Sequence, residues 1–216
     1  MNSLKGYLAR QLRHPSGWGG KLILRFLNRE NATMNTLALR NLNVQVGQHV
    51  LEIGFGGGDL IERLLKAGQS QVTAIDMSHT AVATAQSRFK QAIAANRLMT
   101  HQASAEAMPF VDSMFDAIVT VNTLYFWPDV SAVLSECQRC LKPGGNLVIT
   151  YNSKDFLEAQ QATQFGFQAY EVSEVETFIK AAGFEKIETS SGESPSNGTF
   201  FCTRGSTAIS SAPTAG

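Results

Sequence analysis

An acidic residue inside an apolar segment, a cluster of glycines and a second acidic residue follow one another in the first half of the sequence. Glu52 lies in the segment HVLEI, glycines occupy positions 54 and 56–58, and Asp76 ends the segment QVTAID. A buried carboxylate is costly without a partner, and a cationic ligand would supply that partner. An acid about 20 residues after a glycine turn is well placed to bind a ribose diol. These residues therefore predict a site for a ligand that carries a cation and a ribose.

Alternating strands and helices must position these residues. Strand and helix patterns alternate from HVLEI to SEVETFIKAAG, and two strand patterns, FEKIETSS and GTFFCTR, follow without a helix between them. Such alternation predicts a parallel sheet covered on both faces, and a turn-rich link makes the last two strands antiparallel. We predict an α/β, Rossmann-like fold with a seven-stranded, mostly parallel sheet, helices on both faces and the last strand antiparallel. Ligands bind such a sheet beyond the carboxyl ends of its strands.

Three of the helical segments carry local signals. Ser78 is placed to cap a single long helix, SHTAVATAQSRFKQAIAAN. Ser173 and Glu176 have the spacing of a capping box at the start of SEVETFIKAAG. In DVSAVLSECQRCL, Cys137 and Cys140 are three residues apart and point to one face of the helix. The chain has three cysteines and no second pair to complete a zinc site, so we predict buried structural thiols and no metal site.

The sequence divides into three parts. Residues 1–47 show helical apolar spacing, broken by the loop pattern RHPSGWGG at 13–20, and predict a helical N-terminal extension that serves as a lid or substrate cap. Residues 48–205 form the predicted cofactor-binding domain, and residues 206–216 a disordered tail. The first 48 residues hold seven basic residues against one acid, a net charge of +6 in a chain that is neutral as a whole. This segment is compatible with weak association with an anionic surface.

Three kinds of nucleotide-like ligand bind at a glycine turn. A phosphate-binding loop requires G-x-x-x-x-G-K-[ST], and no Lys-Ser or Lys-Thr pair follows these glycines. A dinucleotide site requires G-x-G-x-x-G, but Asp59 stands at the third position, where a carboxylate would repel a pyrophosphate. A nucleoside with a cationic amino acid and no phosphate suits both Glu52 and Asp76, and S-adenosylmethionine is such a molecule. A nicotinamide-dependent oxidoreductase stays open as an alternative.

Four segments, in order, resemble the motifs of class I S-adenosylmethionine-dependent methyltransferases. VLEIGFGGG resembles their first motif, AIDMS the second, SAEAMPFVDSMFDAIVTVNTLYFWPD the adenine loop and fourth strand, and LKPGGNLVIT the late turn and strand. The resemblance is nearest to the small-molecule, quinone-methyltransferase-like branch. It implies methyl transfer to a small-molecule acceptor by in-line displacement, with S-adenosylhomocysteine as the product. A module that binds the cofactor without turnover is the alternative from another class.

The resemblance also implies roles for individual residues. Glu52 and the glycine backbones would flank the methionine part, Asp76 would bind the ribose, and Met77 would pack on the adenine. The adenine loop has a serine at 104 where an aspartate is common, and Asn122 would approach the sulfonium. The full cofactor set predicted in this way comprises Glu52, Gly54, Gly56, Gly58, Asp76, Met77, Ser104, Ala105, Glu106 and Asn122.

Methyl transfer requires an aligned nucleophile and the exclusion of water, and a general base only if the nucleophile loses a proton as it attacks. No base stands out in the sequence. The catalytic candidates are Tyr125 after the fourth strand, His14 in the N-terminal glycine loop and Tyr170 before the last long helix. Aromatic residues without a conspicuous acid or base suit an apolar nucleophile or a cationic amine.

Several classes of partner are disfavoured. NTLYFWPD does not match the [DN]-P-P-[YFW] pattern of nucleic-acid methyltransferases, and no basic surface for a phosphate backbone is evident after residue 48. We therefore expect no nucleic-acid partner. No apolar run approaches the roughly 18 residues of a membrane span, so we expect no stable membrane insertion. The N-terminus lacks the apolar block of a secretory signal, which predicts a cytoplasmic protein.

Overall fold

The predicted α/β fold is confirmed. The computed structural model describes residues 17–43, 45–68 and 71–209, with the backbone alone for residues 18, 21–23 and 25–27. In this part of the chain one sheet has the strand order β3-β2-β1-β4-β5-β7-β6. The strands are β1 (His49–Ile53), β2 (Gln71–Asp76), β3 (Leu98–Gln102), β4 (Phe115–Val121), β5 (Leu141–Asn152), β6 (Glu185–Ser194) and β7 (Gly198–Ser206).

Strand direction follows the expected pattern. The neighbours among β1 to β5 pair in parallel, whereas β7 pairs antiparallel with both β5 and β6. The strand order runs outward from β1 in one direction and from β4 in the other, which places the topological switch point between these two strands. A crevice at this point, beyond the carboxyl ends of the strands, is where open α/β sheets bind ligands.

Helices cover both faces of the sheet. Val50 belongs to the apolar cluster on one face and Leu51 to the cluster on the other, as alternation along a buried strand requires. The helices are α1 (Gly17–Glu30), α2 (Ala32–Leu42), α3 (Asp59–Lys66), α4 (His79–Arg88), α5 (Lys90–Ala94), α6 (Val130–Cys140), α7 (Lys154–Ala159) and α8 (Val172–Ala181), with 3₁₀ turns at Leu124–Phe126 and Ala162–Phe165. Among the described residues no helix combines the length and apolar character needed to cross a membrane.

The single helix predicted after β2 is wrong, because Phe89 separates α4 from α5. The Phe89 ring is buried against the glycine turn, and its edge would lie 2.8 Å from a Cβ at Gly58. This tertiary contact fixes the backbone at a position where the sequence pattern alone continues as a helix. The predicted cap at the start of α4 is confirmed, because the Ser78 hydroxyl accepts a hydrogen bond from the Ala81 amide at 3.2 Å.

Two other boundaries differ from the expected ones. The glycine loop predicted at 13–20 is wrong over its second half, because α1 already begins at Gly17. The capping box of α8 lies two residues earlier than predicted, since Glu174 accepts a hydrogen bond from the Glu171 amide at 2.8 Å. The cap residue is Glu171, whereas the pattern favours a serine at this position. The prediction therefore placed the start of the helix at Ser173.

The beginning of β5, which contains the turn KPGG, lies beside the end of β7. The turn is an irregularity within β5, where Gly144 has φ +76° and the register with β4 shifts. Thr207, one residue after β7, is buried, and its hydroxyl accepts from the Gly145 amide at 3.0 Å. Residues 206 and 207 of the predicted tail therefore pack on the sheet, and residues 210–216 lie outside the described part of the chain.

The thiols of the C-x-x-C pair are both buried and free, as predicted. They lie on the face of α6 that packs against the sheet. Burial raises the pKa of both thiols. Both side chains contribute to the core as small apolar groups.

Candidate functional site

A cavity of about 580 Å³ opens at the switch point. The turns that follow β1 to β5 line it, together with the α1–α2 junction and the turn between β6 and β7. Its volume lies in the range of small-molecule and cofactor sites. The charged residues that line it in the described part of the chain are all acids: Glu30, Glu52, Asp59, Asp76 and Glu106.

Glu52 is the most unusual of these acids. It lies in the fully buried strand β1, and its Oε2 has no hydrogen-bond partner among the described residues. Burial raises the pKa of Glu52 well above its ordinary value, and the carboxylates of Asp59 and Asp76 raise it further. A buried carboxyl oxygen without a donor is unfavourable unless a ligand supplies one. The site therefore favours a ligand with a cationic donor at this end of the cavity.

The glycine turn brings backbone against the cavity and against its neighbours. Gly54 has φ +71°, and a Cβ there would lie 2.3 Å from the Thr123 Cγ2. A Cβ at Gly57 would lie 2.2 Å from the Asn28 Oδ1. Only glycine fits either position without displacement of a neighbour. Gly54, Gly56 and Gly57 line the cavity, so backbone without a side chain borders it at this turn.

Asp76 holds the second strand end against the glycine turn. Its Oδ2 accepts from the Gly56 amide at 2.9 Å, and its Oδ1 accepts from the Ser78 amide at 2.8 Å. The two bonds fix the carboxylate at the rim of the cavity between the turns after β1 and β2. Met77 follows it, lines the cavity and is 56% exposed, which leaves an apolar side chain free to cover a ligand.

The segment after β3 forms the wall beside Met77. Ser104, Ala105 and Glu106, for which the resemblance implied an adenine loop, all line the cavity. The Ser104 hydroxyl accepts from the Glu106 amide at 3.2 Å, which closes a tight turn in this segment. The Glu106 carboxylate in turn accepts from the amide of Asp129 at 3.3 Å, so the loop is tied to the start of α6.

Asn122 and Tyr125 meet at the end of β4. Asn122 has φ +58°, a conformation that asparagine tolerates better than most residues. The Tyr125 hydroxyl donates to the Asn122 Oδ1 at 2.9 Å and also bonds the amide of Asn152. Burial raises the pKa of Tyr125, which favours the protonated phenol in the free protein. The hydroxyl thus donates to Asn122 and accepts from the backbone of Asn152 at this edge of the cavity.

Two predicted site residues, Gly58 and Tyr170, do not line the cavity in the described part of the chain. Gly58 has no part in the described lining and lies instead against Phe89. Tyr170 packs edge-on against Phe178, and its hydroxyl donates to Gln168 rather than facing the cavity. His14 lies outside the described residues.

Sequence reasoning missed a set of asparagines that line the cavity from distant parts of the chain. Asn28 donates to the Gly57 carbonyl at 3.0 Å, and Asn35 donates to the Asp59 carboxylate at 2.8 Å. Between them, Asn31 accepts from the Asn122 Nδ2 at 2.8 Å. Asn28 lies in α1, Asn31 at the α1–α2 junction and Asn35 in α2, so the pattern of a single helix could not have linked them. The remaining members of the set are Asn152 and Asn197.

Aromatic rings form the wall of the cavity opposite the glycine turn. The rings of Phe126 and Phe167 lie edge to face at 4.7 Å between centroids, and Tyr125 stacks on Phe167 at 6.0 Å. Each pair has a geometry that aromatic side chains favour in protein cores. The cavity thus has a polar, acidic end at β1 and β2 and an apolar end at β4 and β5. The rings that line the apolar end are Tyr125, Phe126, Trp127, Phe156, Phe165 and Phe167.

A sheet of this order, with a glycine turn, a buried acid and a second acid at its switch point, has the architecture of class I S-adenosylmethionine-dependent methyltransferases. Residues 51–149 match the family model described as a methyltransferase domain. The chain is 32% identical over 161 residues to the uncharacterized methyltransferase YdaC of Bacillus subtilis (strain 168), an alignment that covers 74% of this chain and 83% of YdaC. The chain belongs to this methyltransferase family.

Two further comparisons extend the likeness. The ubiquinone biosynthesis O-methyltransferase of Pseudomonas aeruginosa (strain LESB58) is 35% identical over 127 residues, and the match covers 56% of this chain and 53% of that enzyme. The chain thus spans about half the length of that relative. Phosphoethanolamine N-methyltransferase 2 of Haemonchus contortus, solved with phosphomonomethylethanolamine and S-adenosylhomocysteine, superposes with a TM-score of 0.70 at 17% identity, over 94% of this chain and 57% of that one. This second likeness is one of fold.

Proposed function

We propose that the cavity binds S-adenosylmethionine at its acidic end and holds a small-molecule methyl acceptor at its apolar end. The observation that carries the proposal is the buried Oε2 of Glu52, which has no hydrogen-bond partner among the described residues. The ammonium of the cofactor's amino acid would supply both the charge and the donor. The backbone of Gly54 and Gly56 would flank the methionine part, and Asp76 would accept from the ribose hydroxyls.

The adenosine end fits the segment after β3. Met77 offers an exposed apolar side chain on one side, and residues 104–106 offer a polar turn on the other. We leave Gly58 out of the proposed set because it packs on Phe89. When bound, the cofactor supplies a methyl group on a sulfonium, whose sulfur leaves with the bonding electron pair.

The chain's own contribution to the reaction is alignment and the exclusion of water. The aromatic wall at residues 125–127 and 165–167 would hold a flat, apolar acceptor by contact with its faces and edges. Asn122 connects this wall to the α1–α2 junction through its bond to Asn31, and both residues line the cavity. A well-oriented pair of reactants accounts for much of the rate in reactions of this kind.

The aromatic wall at the apolar end contains no carboxylate or basic side chain among the described residues that line it. Burial raises the pKa of Tyr125 and favours its protonated form in the free protein. The proposed acceptor is therefore one whose reacting atom is already nucleophilic at neutral pH, or one that releases its proton to water. It is a small molecule, in keeping with the size of the cavity.

Calorimetric titration tests the cofactor. We would titrate the protein with S-adenosylmethionine, S-adenosylhomocysteine and NADH, together with Asp76→Ala and the matched control Asp155→Ala, which replaces an exposed acid on α7. We expect the two adenosyl ligands to bind the wild type and the control, and to lose at least about tenfold in affinity for the Asp76 variant, the scale of one charge-assisted hydrogen bond.

Binding of NADH alone would contradict the proposal and favour a nicotinamide enzyme. Binding of the cofactor without turnover would favour a binding module, and this is tested by transfer of a labelled methyl group to a panel of small aromatic and heteroaromatic acceptors. Labelled product from any of them would identify the acceptor class. If the protein binds the cofactor but forms no labelled product with any member of this panel, the acceptor half of the proposal is refuted.

A further inference from the structure

We propose that Arg139 and Glu136 of α6 are positioning residues for the cofactor: they hold the loop after β3 in the shape that receives the adenosine. We call residues 103–110 the adenosine loop. The inference rests on the function proposed above, in which residues 104–106 contact that part of the ligand. Neither Arg139 nor Glu136 belongs to the described lining of the cavity, so both act through the loop.

Arg139 binds the far end of the loop through its backbone. Its Nη1 donates to the Phe110 carbonyl at 2.7 Å, and its Nη2 donates to the Met108 carbonyl at 3.2 Å. Nη1 also pairs with the carboxylate of Asp112 at 2.8 Å. One guanidinium thus fixes two alternate carbonyls of the loop and the side chain that follows them.

Glu136 completes the arrangement from one turn earlier on α6. Its carboxylate takes two hydrogen bonds from the Arg139 guanidinium, at 2.7 and 2.8 Å, which orient the guanidinium toward the loop. Its Oε2 also accepts from the Met108 amide at 2.7 Å. Both backbone groups of Met108 are therefore bound by this pair, and the Met108 side chain is buried in the core.

The other end of the loop is fixed as well. The Ala103 amide donates at 3.2 Å to the backbone carbonyl of Asp76, the residue whose side chain we assign to the ribose. Only residues 104–107 lie between this anchor and Met108. These four residues include the whole part of the loop that lines the cavity after Ala103. Release of the far anchor would leave a segment that has to be ordered each time the ligand binds, and ordering a flexible segment weakens binding.

Arginine is required at this position because of its shape. The guanidinium presents several donors in a planar fork, and here the fork serves two carbonyls and two carboxylates at once. A lysine ammonium in the same place is a point charge and does not reach this set of acceptors. Arg139→Lys therefore tests the geometry separately from the charge.

The test compares Arg139→Ala and Arg139→Lys with Arg204→Ala. Arg204 is the matched control, because its guanidinium also forms an ion pair at similar exposure, with Glu188 on the neighbouring strand and away from the cavity. Calorimetry with S-adenosylhomocysteine and with adenosine gives the dissociation constants. Hydrogen exchange of the amides at 103–107 is measured without ligand and at saturating S-adenosylhomocysteine.

For Arg139→Ala we expect about a tenfold rise in Kd, equivalent to about 1.4 kcal/mol, by the same factor for adenosine and for S-adenosylhomocysteine. For Arg139→Lys we expect about a threefold to tenfold rise, the loss of part of the fork. The amides at 103–107 should exchange faster in the free variants and regain protection when ligand is bound. Arg204→Ala should match the wild type in each measurement.

Unchanged affinity, or exchange at 103–107 that is the same as in the wild type, would overturn the inference. So would loss of protection spread over the whole sheet, since a general loss of stability would explain weaker binding without a positioning role. If Arg139→Ala does not fold, Arg139→Lys carries the same test. Failure of the wild type itself to bind S-adenosylhomocysteine would contradict the proposed function instead, so the two failures are distinct.

Discussion

Replacement of Glu52 by glutamine should make the free protein more stable and its cofactor binding weaker. The change keeps the shape of the side chain and removes its charge. In the folded protein Glu52 is enclosed in β1 close to two other acids, and its Oε2 has no hydrogen-bond partner in the described structure. Ionisation of this carboxyl is therefore costly in the fold and inexpensive in the unfolded chain.

The sign of the pH dependence follows from the direction of the shift. Burial raises the pKa of Glu52 above the ordinary value of 4.5. A raised carboxyl pKa means that the wild-type protein keeps its stability below about pH 4.5 and loses it as the pH rises through the folded-state pKa. Glu52→Gln has no such loss. The two proteins should have similar stability in acid, and the variant should be the more stable one in alkali.

The size of the effect can be set from the burial. Glutamine keeps a buried polar group at this position, so the gain is only the cost of ionising the carboxyl, which we take as about 1–3 kcal/mol. For a chain of this length, that corresponds to a rise in Tm of about 2–12 °C, at about 2–4 °C per kcal/mol. Loss of a charge-assisted hydrogen bond to the ligand's ammonium, about 1.5–3 kcal/mol, should raise the Kd of S-adenosylmethionine by roughly 10- to 150-fold.

The assay is thermal unfolding of both proteins from pH 4.5 to pH 9, with calorimetric titration of S-adenosylmethionine at each pH. Glu188→Gln serves as the control, because that glutamate is mostly exposed and pairs with Arg204. A variant that is less stable than the wild type at high pH would refute the account of Glu52 burial. Unchanged affinity would refute the assignment of its carboxylate to the ligand's ammonium.

Three further outcomes are expected. Gly54→Ala should lower the free energy of unfolding by about 2–5 kcal/mol, because the residue has a positive φ and its Cβ would lie 2.3 Å from a threonine methyl. The control Gly166→Ala, at φ +85° with open space around the Cβ, should lose only about 1–2 kcal/mol. Equal losses for the two variants in urea unfolding would refute the contact at Gly54. Tyr125→Phe should cost about 1–3 kcal/mol in the same assay, because Asn152 loses a buried partner; an unchanged midpoint would contradict this. Cys137 in the folded protein should resist alkylation by iodoacetamide at pH 8, because burial raises its pKa. Mass spectrometry measures the labelling, and rapid labelling before unfolding would contradict the burial of this thiol.

The parts of the fold and site that could be predicted from the sequence are those with a local cause. An acid within a strand, the glycine turn and Asp76 lie close together in the chain, so their spacing alone indicates a nucleoside site. Tyr125 was expected near the cavity because it follows a strand end, and it lines the cavity. Tyr170 was expected there for a similar reason, but it turns toward α8 and packs on Phe178.

The residues that sequence reasoning missed are joined to the site by long-range packing. Asn31 and Asn122 are 91 positions apart and meet because α2 packs beside the end of β4. Asn197 donates to the carbonyl of Glu30 across 167 positions. No spacing rule connects such residues, since their proximity depends on how the N-terminal helices cover the sheet. The break at Phe89 has the same origin, because its ring fills space beside a glycine from another turn.

The two ends of the cavity are built from different stretches of chain. The turns after β1, β2 and β3 supply the acidic end, together with Asn28 and Asn35, which bond Gly57 and Asp59. Residues 124–128 and 156–167 supply the apolar end. Mutations in the second set leave the first in place, because few positions serve both. Descendants of such a protein can therefore acquire a new acceptor by exchange of surface segments while they inherit the methyl donor unchanged, and laboratory evolution toward a new acceptor should concentrate its libraries on those segments.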